Sequence, residues 1–243
     1  MQGRARAAGA ALAVALILGA GACAADIGGT EDTGGSDPSD GARNQAQQGR
    51  YSGLPEPCGS VRQETLAELM PDADPEVYAG DPLATYDTGR RVGCEWRNTD
   101  GADSQRLTVD FLRVISYQSE VSDDDQAEFD FETRAEEFGL TLGEDADQTD
   151  EDGANALSPD LGGRPASARQ LDGIGHVAFL DDRLTSSDAT SRRDVTLAFR
   201  NANVIVTVVY SVATIQPDAA PDSSESQQHA ETVARQLAAG LDG

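Results

Sequence analysis

Lysine is missing altogether: the 18 side chains counted as Lys or Arg are all arginine, they face 43 acids, and the formal net charge is −25. A surface this negative repels a phosphate backbone, whose binding depends on neutralisation by basic residues, so nucleic acid is excluded as a partner. Adsorption to anionic lipid through a basic patch is excluded on the same ground. Aromatics make up only 5% of the chain, with a single Trp, which leaves little for the sugar platform of a glycosidase. Only two histidines occur, His176 and His229. His176 sits at a turn entering a strand and His229 on the outer side of the last helix, so neither is expected to be catalytic. No G-x-S-x-G elbow is present. Gly162-Gly163 lacks the Lys-Ser/Thr that a phosphate-cradling loop requires.

The acids give no sharper signal. With 43 of them, some pair of carboxylates always looks suitable, so their presence points to no particular acid–base chemistry. The densest run, Glu144 to Gly153, invites a calcium reading, but an EF-hand loop needs Gly at its sixth position and Glu at its twelfth. Counted from Asp145, those positions hold Asp150 and Ala156. A solvated acidic loop over 144–164 is the expectation, with no metal and no cofactor.

The N-terminus carries the clearest address. Arg4 and Arg6 precede an apolar run from Ala7 to Leu18, too short to span a bilayer as a stable helix. Gly19-Ala20-Gly21-Ala22-Cys23 follows. Small residues before a cysteine form a bacterial lipobox, although Ala20 stands where Leu is usual. Residues 1–22 therefore read as a signal peptide and Cys23 as the lipidated first residue of an exported lipoprotein. Plain secretion by cleavage at an A-x-A-like site and retention as an uncleaved anchor are the alternatives. Three cysteines leave one to be explained in an exported chain. Lipidation of Cys23 accounts for it and leaves Cys58 and Cys94, either bonded in an oxidising compartment or as two buried thiols.

Residues 23–52 are Gly, Ser, Thr, Asp, Asn and Gln with few large apolar side chains, the composition of a tether. A single domain is expected over 53–243. Ser60 with Gln63 resembles a capping box opening a helix that runs to Met70, with Arg62, Leu66, Leu69 and Met70 at helical spacing. Val92 to Arg97 and Leu107-Val109-Phe111 read as strands. The phase then slips at Leu112 and Val114, through a bulge or through burial on both faces. Ser122 opens a second helix lined by Ala127, Phe131, Ala135 and Phe138, with Gly139 as its stop. Ile174 to Leu180 is a strand. Val195-Leu197-Phe199 and Val204 to Val212 form a hairpin turning at Asn201-Ala202-Asn203, where the two asparagines tolerate positive φ. A last helix, about Glu225 to Ala239, buries Ala230, Val233, Ala234, Leu237 and Leu241. The sum is an α+β fold: a mainly antiparallel sheet of about five strands with about three helices packed on it and one disulfide.

Leu54-Pro55-Glu56-Pro57-Cys58, Gly93-Cys94-Glu95-Trp96, Leu171 to Phe179 and Phe199 to Val204 together resemble the actinobacterial lipoproteins of the family called domain of unknown function 3558. The likeness runs from Leu54 to Leu241. It implies a Cys58–Cys94 disulfide and a place in the cell envelope, and brings no activity or site residues with it.

Trp96 admits two readings. One is a core ring against the disulfide; the other is the wall of a ligand cleft, with Arg90 and Arg91 as an anion site. The functional expectation is a non-enzymatic envelope module on the extracytoplasmic face of the membrane, binding a small ligand or another envelope protein. The alternative is a hydrolase or transferase that acts on cell-wall material through acidic residues.

Overall fold

Alternation along the two most apolar strands organises the molecule. In the computed structural model the described residues are 47–143 and 167–242. The expected signal peptide, Cys23, the tether up to residue 46 and the whole acidic stretch 144–164 lie outside them. In chain order come helix α1 (Gln63–Leu69), a 3-10 turn (Val77–Ala79), strands β1 (Asp81–Pro82), β2 (Arg91–Asp100) and β3 (Asp103–Arg113), and helix α2 (Asp123–Glu137). Strands β4 (Ala168–Leu171), β5 (Val177–Ser186), β6 (Ser191–Asn201) and β7 (Val204–Thr214) and helix α3 (Ser223–Asp242) follow. The strands make one antiparallel sheet in the order β1-β2-β3-β7-β6-β5-β4. No helix among the described residues is long and apolar enough to cross a membrane.

Successive side chains of a strand point to opposite faces, and here both faces are covered. Leu107, Val109 and Phe111 of β3 join Val204, Val206, Val208 and Tyr210 of β7 in the core under α1 and α3. Ile205, Ala198 and Phe179 turn the other way, to Ala127, Phe131 and Ala135 of α2. The β3–β7 register runs without interruption from Asp103↔Thr214 to Arg113↔Val204. The slip at Leu112 and Val114 is therefore two-sided burial with no bulge: both side chains belong to the α2 cluster.

The sheet has seven strands where the sequence suggested about five. The two additions, β1 and β4, are edge strands of two and four residues. They owe their strand character to pairing with β2 and β5, so no apolar alternation marks them. Pro82 is tolerated in β1 because an edge strand needs no donor on its free side.

Three local expectations are corrected. Ser60 caps nothing: its Oγ donates to the Pro57 carbonyl (2.6 Å), and α1 starts from Arg62 without a side-chain cap. Glu56 instead accepts from the Cys58 and Gly59 amides. In the β6–β7 turn it is Ala202 that takes positive φ (50°). Its asparagine neighbours are buried (1% and 0% exposed) and hold other segments. Asn203 Oδ1 accepts from the Tyr51 amide at 2.9 Å, and its Nδ2 donates to the Tyr51 carbonyl at 3.0 Å. Asn201 Nδ2 donates to Asp242 at 3.0 Å.

The third correction concerns the tether, whose last residues belong to the domain. Besides Asn203, Tyr51 reaches Leu241, its hydroxyl donating to that carbonyl at 3.1 Å, and the Gly49 amide donates to Asp123 at 3.0 Å. The packed body thus reaches back to Gln47, because this polar segment finds backbone partners that composition does not reveal.

The helix ends follow sequence rules more closely. Ser122 Oγ accepts from the Asp125 amide at 3.1 Å. At the far end of α2 the Gly139 and Leu140 amides donate to the Glu136 and Ala135 carbonyls, with Gly139 at φ 77°, the paired bonds of a Schellman stop. Asp222 caps α3 by accepting from the Glu225 amide at 2.8 Å. Cys58 and Cys94 are joined by a disulfide with their Cα atoms 5.1 Å apart.

Candidate functional site

The α1/α3 face of the sheet is only partly roofed, and the uncovered part is a groove. Seven residues of α1 span about 10 Å, whereas the eleven residues of β3 or β7 run roughly 35 Å. Where α1 ends and α3 begins, Gln105, Val212 and Thr214 are left under an opening of about 320 Å³. Leu69, Val212, Tyr210, Ala219 and Pro221 give it an apolar floor and walls. Glu68, Asp103, Asp222 and Glu225 stand around it, and among the described residues no arginine lines it.

Tyr210 and His229 form the polar part of the floor. The Tyr210 hydroxyl donates to the Leu69 carbonyl at 3.0 Å, one of the carbonyls that the end of α1 leaves without an intrahelical partner. Burial pushes its ionisation up, and Glu225 adds to the shift. The His229 ring meets Tyr210 edge-on, centroids 5.3 Å apart at 86°. Its Nδ1 is buried and has no hydrogen-bond partner among the described residues. Burial lowers the imidazole from its ordinary value against the opposing pull of Glu225 and Glu68. The ring is therefore neutral near pH 7 and offers both a donor and an acceptor.

His229 is half-buried where an exposed position was expected. The signal was present in the helix: Ser226 and Val233 are both buried, and position 229 lies three residues from one and four from the other. A base with a depressed folded-state value binds fewer protons than its unfolded counterpart below about pH 6.5. Its contribution to stability is complete above that pH and declines as pH falls through the window beneath it. His229→Phe is expected to flatten the slope of urea-unfolding free energy between about pH 5 and 6.5. An unchanged slope would show that His229 titrates alike in both states.

A buried polar cluster fixes the wall that carries Pro221 and Asp222. Arg193 donates to Asp182 at 2.5 Å and through its Nε to the Pro221 carbonyl at 2.9 Å. Gln227 Nε2 donates to the other Asp182 oxygen at 2.7 Å, and the Ser223 hydroxyl donates to that oxygen too. Burial alone would raise the Asp182 carboxyl. The hydrogen bonds from Ser223, Gln227 and Arg193, with the Arg193 charge, outweigh it and hold the carboxyl below its ordinary value. The start of α3 is thereby tied to β5 and β6, although Asp182 and Arg193 look like unremarkable strand charges in the sequence.

The residues singled out beforehand do not assemble. Trp96 is 1% exposed in the α1/α3 core, its Nε1 donating to the Tyr78 carbonyl at 3.3 Å, and it lines neither this groove nor the one holding Arg90. Gly80 presses on the ring: at φ 69°, a Cβ there would come within 2.6 Å of Trp96 Nε1 and 2.5 Å of Cys94 Sγ. Arg91 faces the α2 side of the sheet and pairs with Asp110 at 2.8 Å. Arg90 lines a second groove, with Tyr117. His176 is satisfied at its turn, its Nδ1 accepting from the Ala202 amide at 3.3 Å. Cys23 lies outside the described residues.

Among the described residues, the fold and this groove define an α+β protein, a seven-stranded antiparallel sheet clasped by three helices with an amphipathic opening on its two-helix face. No family model matches the chain, and no curated protein matches its sequence.

Proposed function

We propose that this chain is an exported lipoprotein, held at the extracytoplasmic face of the membrane by lipid on Cys23, that binds a small ligand in the groove at the start of α3. The groove itself carries the reading. An apolar floor with a neutral donor–acceptor ring and a carboxylate rim suits a molecule with an apolar body and a cationic group, since concave sites of this kind use few polar groups to orient an otherwise apolar contact. Such a ligand is bound without being transformed. The address is supported by the lipobox at Gly19 to Cys23 and by a disulfide suited to an oxidising compartment. The motifs shared with the domain of unknown function 3558 lipoproteins support the same placement.

Saturation-transfer NMR with benzylamine and its neutral isostere benzyl alcohol tests the groove. The amine is expected to bind in preference to the alcohol, and to lose that preference when Glu68→Gln and Glu225→Gln are combined. Equal transfer to both probes, or none, would defeat the reading, and turnover of wall material abolished by the same pair would favour the hydrolytic alternative. In the same strain, Cys23→Ser is expected to release the protein into the medium.

A further inference from the structure

The second groove, beneath the loop joining β3 to α2, differs in chemistry from the first. It holds about 260 Å³ and combines Arg90, Tyr117, Gln118, Gln126 and Asp130 around a floor that includes Leu112 and Ile115. Tyr117 is 85% exposed in a chain with few aromatics. The Arg90 guanidinium lies 5.4 Å from its ring centroid and donates to its hydroxyl at 2.5 Å. The ring is thus held at its hydroxyl end by a cation while most of it stays open to solvent.

The loop is fixed before any ligand arrives. Asp123 accepts from the Ser116 amide at 2.8 Å, Ser116 Oγ accepts from the Gln118 amide at 3.2 Å, and the Val121 amide donates to the Gln118 carbonyl at 3.2 Å. On α2, Gln126 Nε2 donates to Asp130 Oδ1 at 2.8 Å. Arg90 is held from behind, its amide donating to the Asp87 carbonyl and its carbonyl accepting from the Arg113 amide.

We propose that this groove is a binding site for an uncharged saccharide, a site separate from the α3 groove and independent of what binds there. A sugar ring presents weakly positive C–H groups on one face, which pack on the negative face of an aromatic ring. Its hydroxyls each donate and accept, so the side chains that suit them are planar and multidentate. Arg supplies only donors, Asp only acceptors, and Gln both; the groove holds all three types around its one aromatic. The charges of Arg90 and Asp130 offset one another, which favours a neutral ligand over an acidic one. A single Trp, buried, left little for a platform in the composition; Tyr117 is one of the exposed rings, with Tyr86 and Phe129, and the one that lines this groove.

Saturation-transfer NMR on the whole protein with chitotetraose, mannotetraose and maltotetraose as probes tests this. At least one is expected to receive saturation, with Tyr117→Ala weakening it about tenfold and Tyr117→Phe leaving it nearly intact, because stacking needs the ring and not the hydroxyl. The melting temperature of Tyr117→Ala should stay at the wild-type value. No transfer to any of the three sugars would overturn the assignment. So would binding that survives Tyr117→Ala, or binding that disappears in the Glu68→Gln, Glu225→Gln variant of the other groove.

Discussion

Opening the Cys58–Cys94 bond, by reduction or by replacing both cysteines with serine, is expected to lower the unfolding free energy by about 3–4 kcal/mol. The sequence separation of 36 sets that scale, through the chain entropy returned to the unfolded state. The elements inside the loop have little else to hold them. Helix α1 is seven residues long with no side-chain cap, and isolated helices shorter than about 12 residues are marginal in water. Strand β1 is two exposed residues. What remains is the burial of Val61, Leu66, Leu69 and Met70, the bonds from Tyr210 and Tyr78 to the end of α1, and those of Gln236 on α3 with Thr65 and Ser60. Loss should therefore be local before it is global. Amide exchange is expected to quicken over residues 54–82 while β3, β6 and β7 stay protected, and urea titration with and without reductant gives the total. A change below about 1 kcal/mol would mean that the reduced, unfolded chain is already compact around this loop.

Asp182→Ala is expected to cost about 3–5 kcal/mol, as removing one partner of a buried pair does. The Asp182 and Arg193 side chains are only 9% and 13% exposed, so the arginine would be left with a desolvated, uncompensated charge. Ser223 and Gln227 would lose their acceptor at the same moment, freeing the start of α3 and with it one wall of the groove. The double variant Asp182→Leu, Arg193→Met should recover most of the loss, since replacing a buried pair by apolar side chains of similar volume is often neutral. A double-mutant cycle reads the coupling directly; additive single effects would show that the pair does not act as a unit. The pH dependence has a definite sign. The Asp182 carboxyl is depressed in the fold, so its contribution is complete above about pH 4 and is lost as pH falls below it.

How much of this was legible depends on the range of the interaction. Alternation in Val204 to Val212 identified β7 and its inward face, and the same periodicity placed Leu107, Val109 and Phe111 in the core. Ser122 and Gly139 bounded α2 because capping is decided within a few residues of the helix end. The edge strands β1 and β4 were invisible, since their pairing comes from neighbours distant in sequence and leaves no apolar pattern of its own. The Asn201-Ala202-Asn203 turn was placed correctly and explained wrongly: its asparagines serve Tyr51 and Asp242, far away in the chain.

The grooves divide along the same line. Arg90 was read with Arg91 as an anion site beside Trp96, but Tyr117, Gln126 and Asp130 come from a loop and a helix that only packing brings beside Arg90. Tyr210 lies in the run Val204 to Val212 that reads as a strand, while its hydroxyl's partner at Leu69 and its contact with His229 depend on where α1 and α3 meet the sheet. By itself the sequence determined the strand faces, the ends of α2 and the cysteine pair available for bonding, all set by local periodicity, capping and residue chemistry. The tertiary structure decided the size of the sheet, the union of α3 with β5 and β6 through Asp182, and both grooves. Those features exist only where segments remote in sequence leave space or supply one another's missing partners, and no local pattern encodes that.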